Sequence, residues 1–199
     1  MRCLVPLVLL LIPLPARAET YVDAPALGRS TVAFAVLGGT PVGPSEADAR
    51  ASVVGGGGSE LSWGYAWESG FSLAGVMGGA RWSSRGPLAQ TLRDRDASIT
   101  EAWAGVSFRH VLGAGAVAPF YGGALVVDYA RVRGTWEGDA SGLATAARVG
   151  LRWSDHPWDV FGAFEVRRAW LSAPYDEADR LAFTRMSVVL GIGLDGAVR

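Results

Sequence analysis

Residues 141–153 read Ser-Gly-Leu-Ala-Thr-Ala-Ala-Arg-Val-Gly-Leu-Arg-Trp. Leu143, Ala147, Val149, Leu151 and Trp153 fall on one parity, and Ala146, Arg148, Gly150 and Arg152 on the other. A period of two over this length is the pattern of a β-strand with unlike faces. One face is apolar. The other mixes small residues with arginine. The stretch is long enough to be a tilted membrane strand, which needs roughly 9–11 residues.

The same alternation recurs on both sides of it. Strands are expected at Ser30–Gly38, Ser59–Glu68, Phe71–Trp82, Ser98–His110, Phe120–Val132, Ser141–Trp153, Trp158–Leu171 and Leu181–Asp195. In the second, Leu61, Trp63, Tyr65 and Trp67 oppose Glu60, Ser62 and Gly64. The third has an ambiguous phase, because so many of its residues are Gly or Ala. In the seventh, Val160, Phe164, Val166 and Trp170 oppose Glu165 and Arg167, with Phe161 and Arg168 reading as out of phase. Gly39–Gly58, Ser83–Ala97, Arg133–Ala140 and Ser172–Arg180 read as the longer connections, and Ser69-Gly70, Leu112–Pro119 and Ser154–Pro157 as shorter turns. Short after even strands and longer after odd ones is the order expected of an even, closed, up-and-down barrel with both chain ends on one side.

A leader precedes the barrel. Arg2 supplies positive charge, Leu4–Leu14 is an apolar run interrupted by Pro6 and Pro13, and Ala16-Arg17-Ala18 is a small-x-small cleavage site. Residues 1–18 are therefore expected to be a cleaved signal peptide, 19–29 a lead-in broken by Pro25, and 30–199 the barrel domain. The only cysteine, Cys3, lies in the leader, so the mature chain has no thiol for a disulfide or a metal. Hydrophobic residues make up 50%, but no mature stretch approaches the roughly 20 apolar residues of a membrane helix. All 18 basic residues are Arg, and removing Arg2 and Arg17 takes the formal charge from −1 to −3. Nothing in this balance points to a nucleic-acid partner.

A membrane sheet must close so that every backbone polar group is paired, with its apolar face toward lipid. On that topology Glu101, Arg109, Asp128, Arg148, Arg152, Glu165, Arg167 and Arg185 share a narrow lumen, a set of five Arg against three acids. Small neighbours make room for the long Arg chains, and Arg pairs bidentately with carboxylates. Aromatic residues gather at strand ends. Trp67, Phe108, Tyr121, Trp153 and Trp158 are expected at the membrane interface on the short-turn side, and Trp82, Tyr129, Trp170 and Phe183 on the long-loop side.

In this pattern the chain resembles the small eight-stranded outer-membrane barrels of Gram-negative bacteria, the class of the OmpA transmembrane domain, OmpX and OmpW. The resemblance covers essentially the whole mature chain and rests on pattern rather than on a motif. It implies an all-β, eight-stranded antiparallel up-and-down transmembrane β-barrel in the cell outer membrane. It also implies outer-membrane lipid and lipopolysaccharide as surroundings, the barrel-assembly machinery as a partner in biogenesis, and a monomer. Such barrels commonly end in an aromatic residue; this chain departs from them by ending Gly196-Ala-Val-Arg199.

The function expected is non-enzymatic, a structural or surface-interaction role with a charge-plugged lumen. Alternatives are a narrow, porin-like path for small or apolar solutes, a lipid-A-modifying enzyme, and a soluble periplasmic lipocalin-like binding barrel. Catalysis would need a His base beside a nucleophile, and the mature chain has only His110 and His156, both at the short-turn end. No cofactor or metal is expected. The Gly55–Gly58 run lacks the Lys and Ser/Thr of a phosphate loop and reads as a flexible loop. Asp176, Glu177 and Asp179, like Arg93–Asp96, read as hydrated loop residues, the latter within reach of lipopolysaccharide phosphates.

Overall fold

The computed structural model describes residues 29–42, 55–83, 98–133, 138–155, 157–172 and 180–197. They form eight strands: β1 (Arg29–Val42), β2 (Gly55–Ala66), β3 (Phe71–Ser83), β4 (Ser98–Val111), β5 (Val117–Arg133), β6 (Gly138–Asp155), β7 (Trp158–Ser172) and β8 (Arg180–Ala197). Each pairs antiparallel with its sequence neighbours, and β1 pairs with β8 to close the barrel. The expected leader, residues 19–28 of the expected lead-in, His156, Arg93–Asp96 and the 176–179 acids lie outside the described residues, as does the side chain of Phe183; Arg29, the last lead-in residue, opens β1.

Closure follows from the edge problem. An open strand edge leaves unpaired N–H and C=O groups, and in hydrocarbon each such group is costly. The β1–β8 seam removes both edges over a register running from Arg29 opposite Ala197 to Val42 opposite Thr184. The short turns are locally built. Gly70 adopts φ 79° and donates its N–H to the Trp67 carbonyl at 3.0 Å, a left-handed position suited to glycine.

The faces separate by parity. Val, Leu, Ile, Met and aromatic side chains point outward all round the wall; Trp63 is 70% exposed and Val127 61%. The interior holds Glu60, Glu101, Asp128, Asp159, Glu165, Arg167 and Arg185, all nearly inaccessible. This is a soluble barrel turned inside out, so the lipocalin-like alternative is set aside: in water the outer band would be a large apolar patch.

Three details of the strand reading are corrected. Gly55–Gly58 is the start of β2, not a loop. A Cβ on Gly56 or Gly58 would lie 2.1 Å from a β3 carbonyl oxygen, of Arg81 and Gly79 respectively, so the neighbouring strand crowds those two positions. Gly138–Ala140 belongs to β6, which shortens the connection after β5 to 134–137. Gly39–Val42 belongs to β1 and not to the connection after it. Phe161 and Arg168 do break the pattern of β7 as read: the strand alternates without interruption, which puts the Phe161 ring on the polar inner face and the Arg168 guanidinium on the apolar outer one.

Candidate functional site in the barrel lumen

The interior of an eight-stranded barrel is just wide enough to be filled by side chains. Glu60, Gly78, Trp103 and Asp128 occupy one continuous row across β2 to β5. Arg148 faces Glu165 across β6 and β7, and Arg167 faces Arg185 across β7 and β8. Glu60 is the meeting point. Arg148 forks onto it, Nη1 to Oε1 at 2.7 Å and Nη2 to Oε2 at 2.8 Å, while its Nε donates to Glu165 Oε2 at 2.6 Å. Arg167 Nη2 and Trp103 Nε1 donate to Glu60 Oε2 at 3.3 and 3.1 Å. Arg185 pairs with Glu101 and approaches Glu165 Oε1 at 3.5 Å.

Aromatic faces complete this cluster. The Arg167 guanidinium lies 4.2 Å from the Trp103 ring centroid, and that of Arg185 lies 4.8 Å from Trp82 and 5.0 Å from Trp103. Desolvation strengthens such contacts. Glycines on the facing strands seat the rings. A Cβ on Gly78 would meet Trp103 at 2.6 Å, one on Gly56 would meet Trp82 at 2.8 Å, and one on Gly191 would meet Phe161 at 2.2 Å.

A second cluster lies toward the short-turn end. Asp159 takes Arg152 Nε at 3.0 Å and Arg109 Nη2 at 3.5 Å, ion-pair distances without hydrogen-bond geometry. Arg109 also sits 5.8 and 5.6 Å from the Phe120 and Phe161 rings. Between the clusters is a cavity of about 60 Å³, bordered by Arg148 on one side and by Arg109, Asp159 and Asp195 on the other. That is room for a few waters. Asp128 stands apart, fully buried with no hydrogen-bond partner on either carboxylate oxygen among the described residues.

All eight lumen residues read from the sequence thus face inward, but the set was incomplete. Glu60, the hub, and Asp159, the acid of the second cluster, were not in it; nor was Asp195. Each had an available signal, since each shares parity with the polar face of its own strand. Their addition removes the apparent excess of arginine.

One interface aromatic is corrected outright. Trp82 is 1% exposed and lies inside, because it shares parity with Val76 and Ala80 and packs under Arg185. Trp67, Phe108, Tyr121, Trp153 and Trp158 point outward near the short turns, and Tyr129 and Trp170 point outward near the other end. Tyr65, Trp67, Phe71 and Phe108 form a chain of ring contacts with centroids 5.2 to 6.3 Å apart. His110 also faces outward. Its Nε2 donates to the Ser69 carbonyl at 3.2 Å and its Nδ1 shares a 2.9 Å hydrogen bond with the Tyr121 hydroxyl.

No protein-family profile matches the chain, and no curated protein sequence matches it. Solved structures do match in fold. Neisserial surface protein A superposes with a TM-score of 0.56 at 13% identity, covering 83% of this chain and 96% of that one. The outer-membrane protein AlkL in lipid bilayers gives 0.53 at 12% identity, covering 88% and 93%. Ail, the attachment invasion locus protein of Yersinia pestis, in complex with the heparin analogue sucrose octasulfate, gives 0.51 at 14%, covering 85% and 99%.

Proposed function

From a chain that has the fold of the small eight-stranded outer-membrane barrels, we propose a non-enzymatic outer-membrane protein with a structural or surface-interaction role and a lumen closed by its own charges. The observation that carries the closed lumen is the Glu60 hub. Three arginines, two carboxylates besides Glu60, and two tryptophans interlock around it across the barrel. Buried charges matched this way are expected of a filled interior whether or not anything passes. The outward rings near both strand ends serve as interface anchors, with lipid and lipopolysaccharide around them. The barrel works as a monomer, inserted by the barrel-assembly machinery after the leader is cleaved behind Ala18.

The non-enzymatic reading is supported by His110, whose two ring nitrogens are both engaged in tying the β2–β3 turn to β5. The surface role is supported by the kinds of protein that share the fold, a surface protein and an attachment protein among them. Planar-bilayer recording tests the closed lumen. The wild-type barrel is expected to show no discrete current steps, and persistent steps abolished by Arg148→Ala sink the reading in favour of a narrow pore. Lipid A unchanged in composition after gene deletion is the expected result for a protein without lipid-modifying activity; an altered acyl pattern overturns it.

A further inference from the structure

The outer surface carries its own charge pattern. Arg81, Arg131, Arg133 and Arg168 are exposed on outward parities toward the long-connection end of β3, β5 and β7. At the short-turn end the exposed charges among the described residues are mixed, Arg29, Glu68 and Asp155. Arg131 is neutralised by Asp139 at 2.8 Å. Among the described residues no carboxylate pairs with Arg81, Arg133 or Arg168.

Arg168 is the most telling. It lies between Val166 and Trp170 on the outward face of β7, on the lipid side of Trp170. Its register partners are Thr145 on β6 and Thr184 on β8. Nη1 donates to Thr184 Oγ1 at 3.4 Å, and the guanidinium lies 5.6 Å from the Trp170 ring centroid. A lipid-facing arginine is unfavourable at depth and becomes tolerable only near the interface. A long side chain of this kind can lay its stem along apolar surface and keep its charged head at the polar boundary, and here the head lies against Trp170, the residue nearer the strand end. Every donor not turned to Thr184 needs an acceptor, and the group that lies at that height in a bilayer is phosphate. A guanidinium fork suits phosphate oxygens, and flanking hydroxyls add donors. Arg81 repeats the arrangement across the barrel, with Thr100 as its partner on β4 and Gly57 on β2.

We propose that Arg168, flanked by Thr145, Thr184 and Trp170, is a binding site for a phosphate group of an outer-leaflet lipid, the bis-phosphorylated glycolipid of the lipid A class, and that Arg81 with Thr100 is a second site of the same kind. The inference rests on the outer-membrane placement of the barrel and is independent of whether the lumen is closed.

The test uses the full-length protein, folded in phosphatidylcholine vesicles containing either lipid A or its fully dephosphorylated form. The readout is the lipid A still bound after exchange into plain detergent. Wild type is expected to retain phosphorylated lipid A and not the dephosphorylated form. Arg168→Gln alone is expected to retain about half as much, because the Arg81 site is intact, and Arg168→Gln combined with Arg81→Gln roughly tenfold less than wild type, the weight of about one charge-assisted hydrogen bond at each site. Arg168→Lys recovers part of the loss, since it keeps the charge but not the fork. Heat-modifiable migration reports folding of each variant, and Arg81→Gln supplies an independent arm if Arg168→Gln does not fold. Retention at the wild-type level by the double Gln variant, or equal retention of the dephosphorylated lipid by wild type, overturns the site. Displacement of lipid A by millimolar inorganic phosphate assigns the site to free anions and overturns the lipid assignment. Bilayer current is expected to stay unchanged in Arg168→Gln, which separates this site from the closure of the lumen.

Discussion

At the residue scale, the interior is governed by one acid. Glu60 accepts from Arg148, Arg167 and Trp103, so removing it leaves two guanidinium groups to share Glu165 and takes the acceptor from a buried indole N–H. Glu60→Ala is expected to destabilise the barrel by about 3–5 kcal/mol, read as a lower urea midpoint, whereas Glu60→Leu combined with Arg148→Leu loses less than the sum of the single changes. Gly78 shows the opposite kind of constraint. Any side chain there meets the Trp103 ring and the Ser59 carbonyl, both at 2.6 Å. Gly78→Val is expected to cost about 1–3 kcal/mol by overpacking, and Trp103→Leu in the same chain to recover part of it. Parity alone made the inward arginines legible. It did not single out Glu60, because nothing local distinguishes one polar-face glutamate from another until eight strands bring their inner faces together. Trp82 was misread for a related reason: a tryptophan near a strand end suits either an interface or a core, and Gly- and Ala-rich β3 gave little phase to decide.

At the element scale, the alternation located all eight strands, since the period of two persists wherever one face meets lipid. What local sequence could not convey was how far each strand runs past the membrane. The Gly55–Gly58 run reads as loop by composition yet is strand by pairing, because β1 and β3 on either side supply the hydrogen bonds that glycine's own propensity does not favour. The β5–β6 hairpin extends likewise, through Gly138–Ala140. Its outer end carries the exposed pair of Arg131 and Asp139, in which hydrogen bonds from the guanidinium hold the Asp139 carboxyl below the usual carboxylate range. The folded-state value is depressed, so the contribution of the pair is present above the unfolded carboxylate value and disappears as pH falls through the lower, folded one. Both side chains are about half exposed, so the effect is expected to be small and salt-sensitive. A carboxyl NMR titration of Asp139 in the folded barrel checks it: the midpoint is expected below that of a free Asp, and to rise when Arg131 is changed to Gln.

At the scale of the whole molecule, the β1–β8 seam decides whether there is a barrel at all. Leu190 pairs with Val36 on β1 and Gly162 on β7. Proline there removes a ladder donor in the middle of a membrane-facing wall, where no water can replace the lost bond. Leu190→Pro is expected to abolish heat-modifiable migration, while Leu190→Val leaves it intact; a folded Leu190→Pro barrel would falsify the view that closure is all-or-none. By itself the sequence determined the strand number and the two faces, because periodicity and turn chemistry are properties of neighbouring residues. Only the tertiary structure decided that the apolar face is the outer one, that Trp82 lies inside, and that Glu60 and Asp159 balance the arginines. Those depend on contacts between strands far apart in the chain, which exist only once the sheet has curled round and joined β8 to β1.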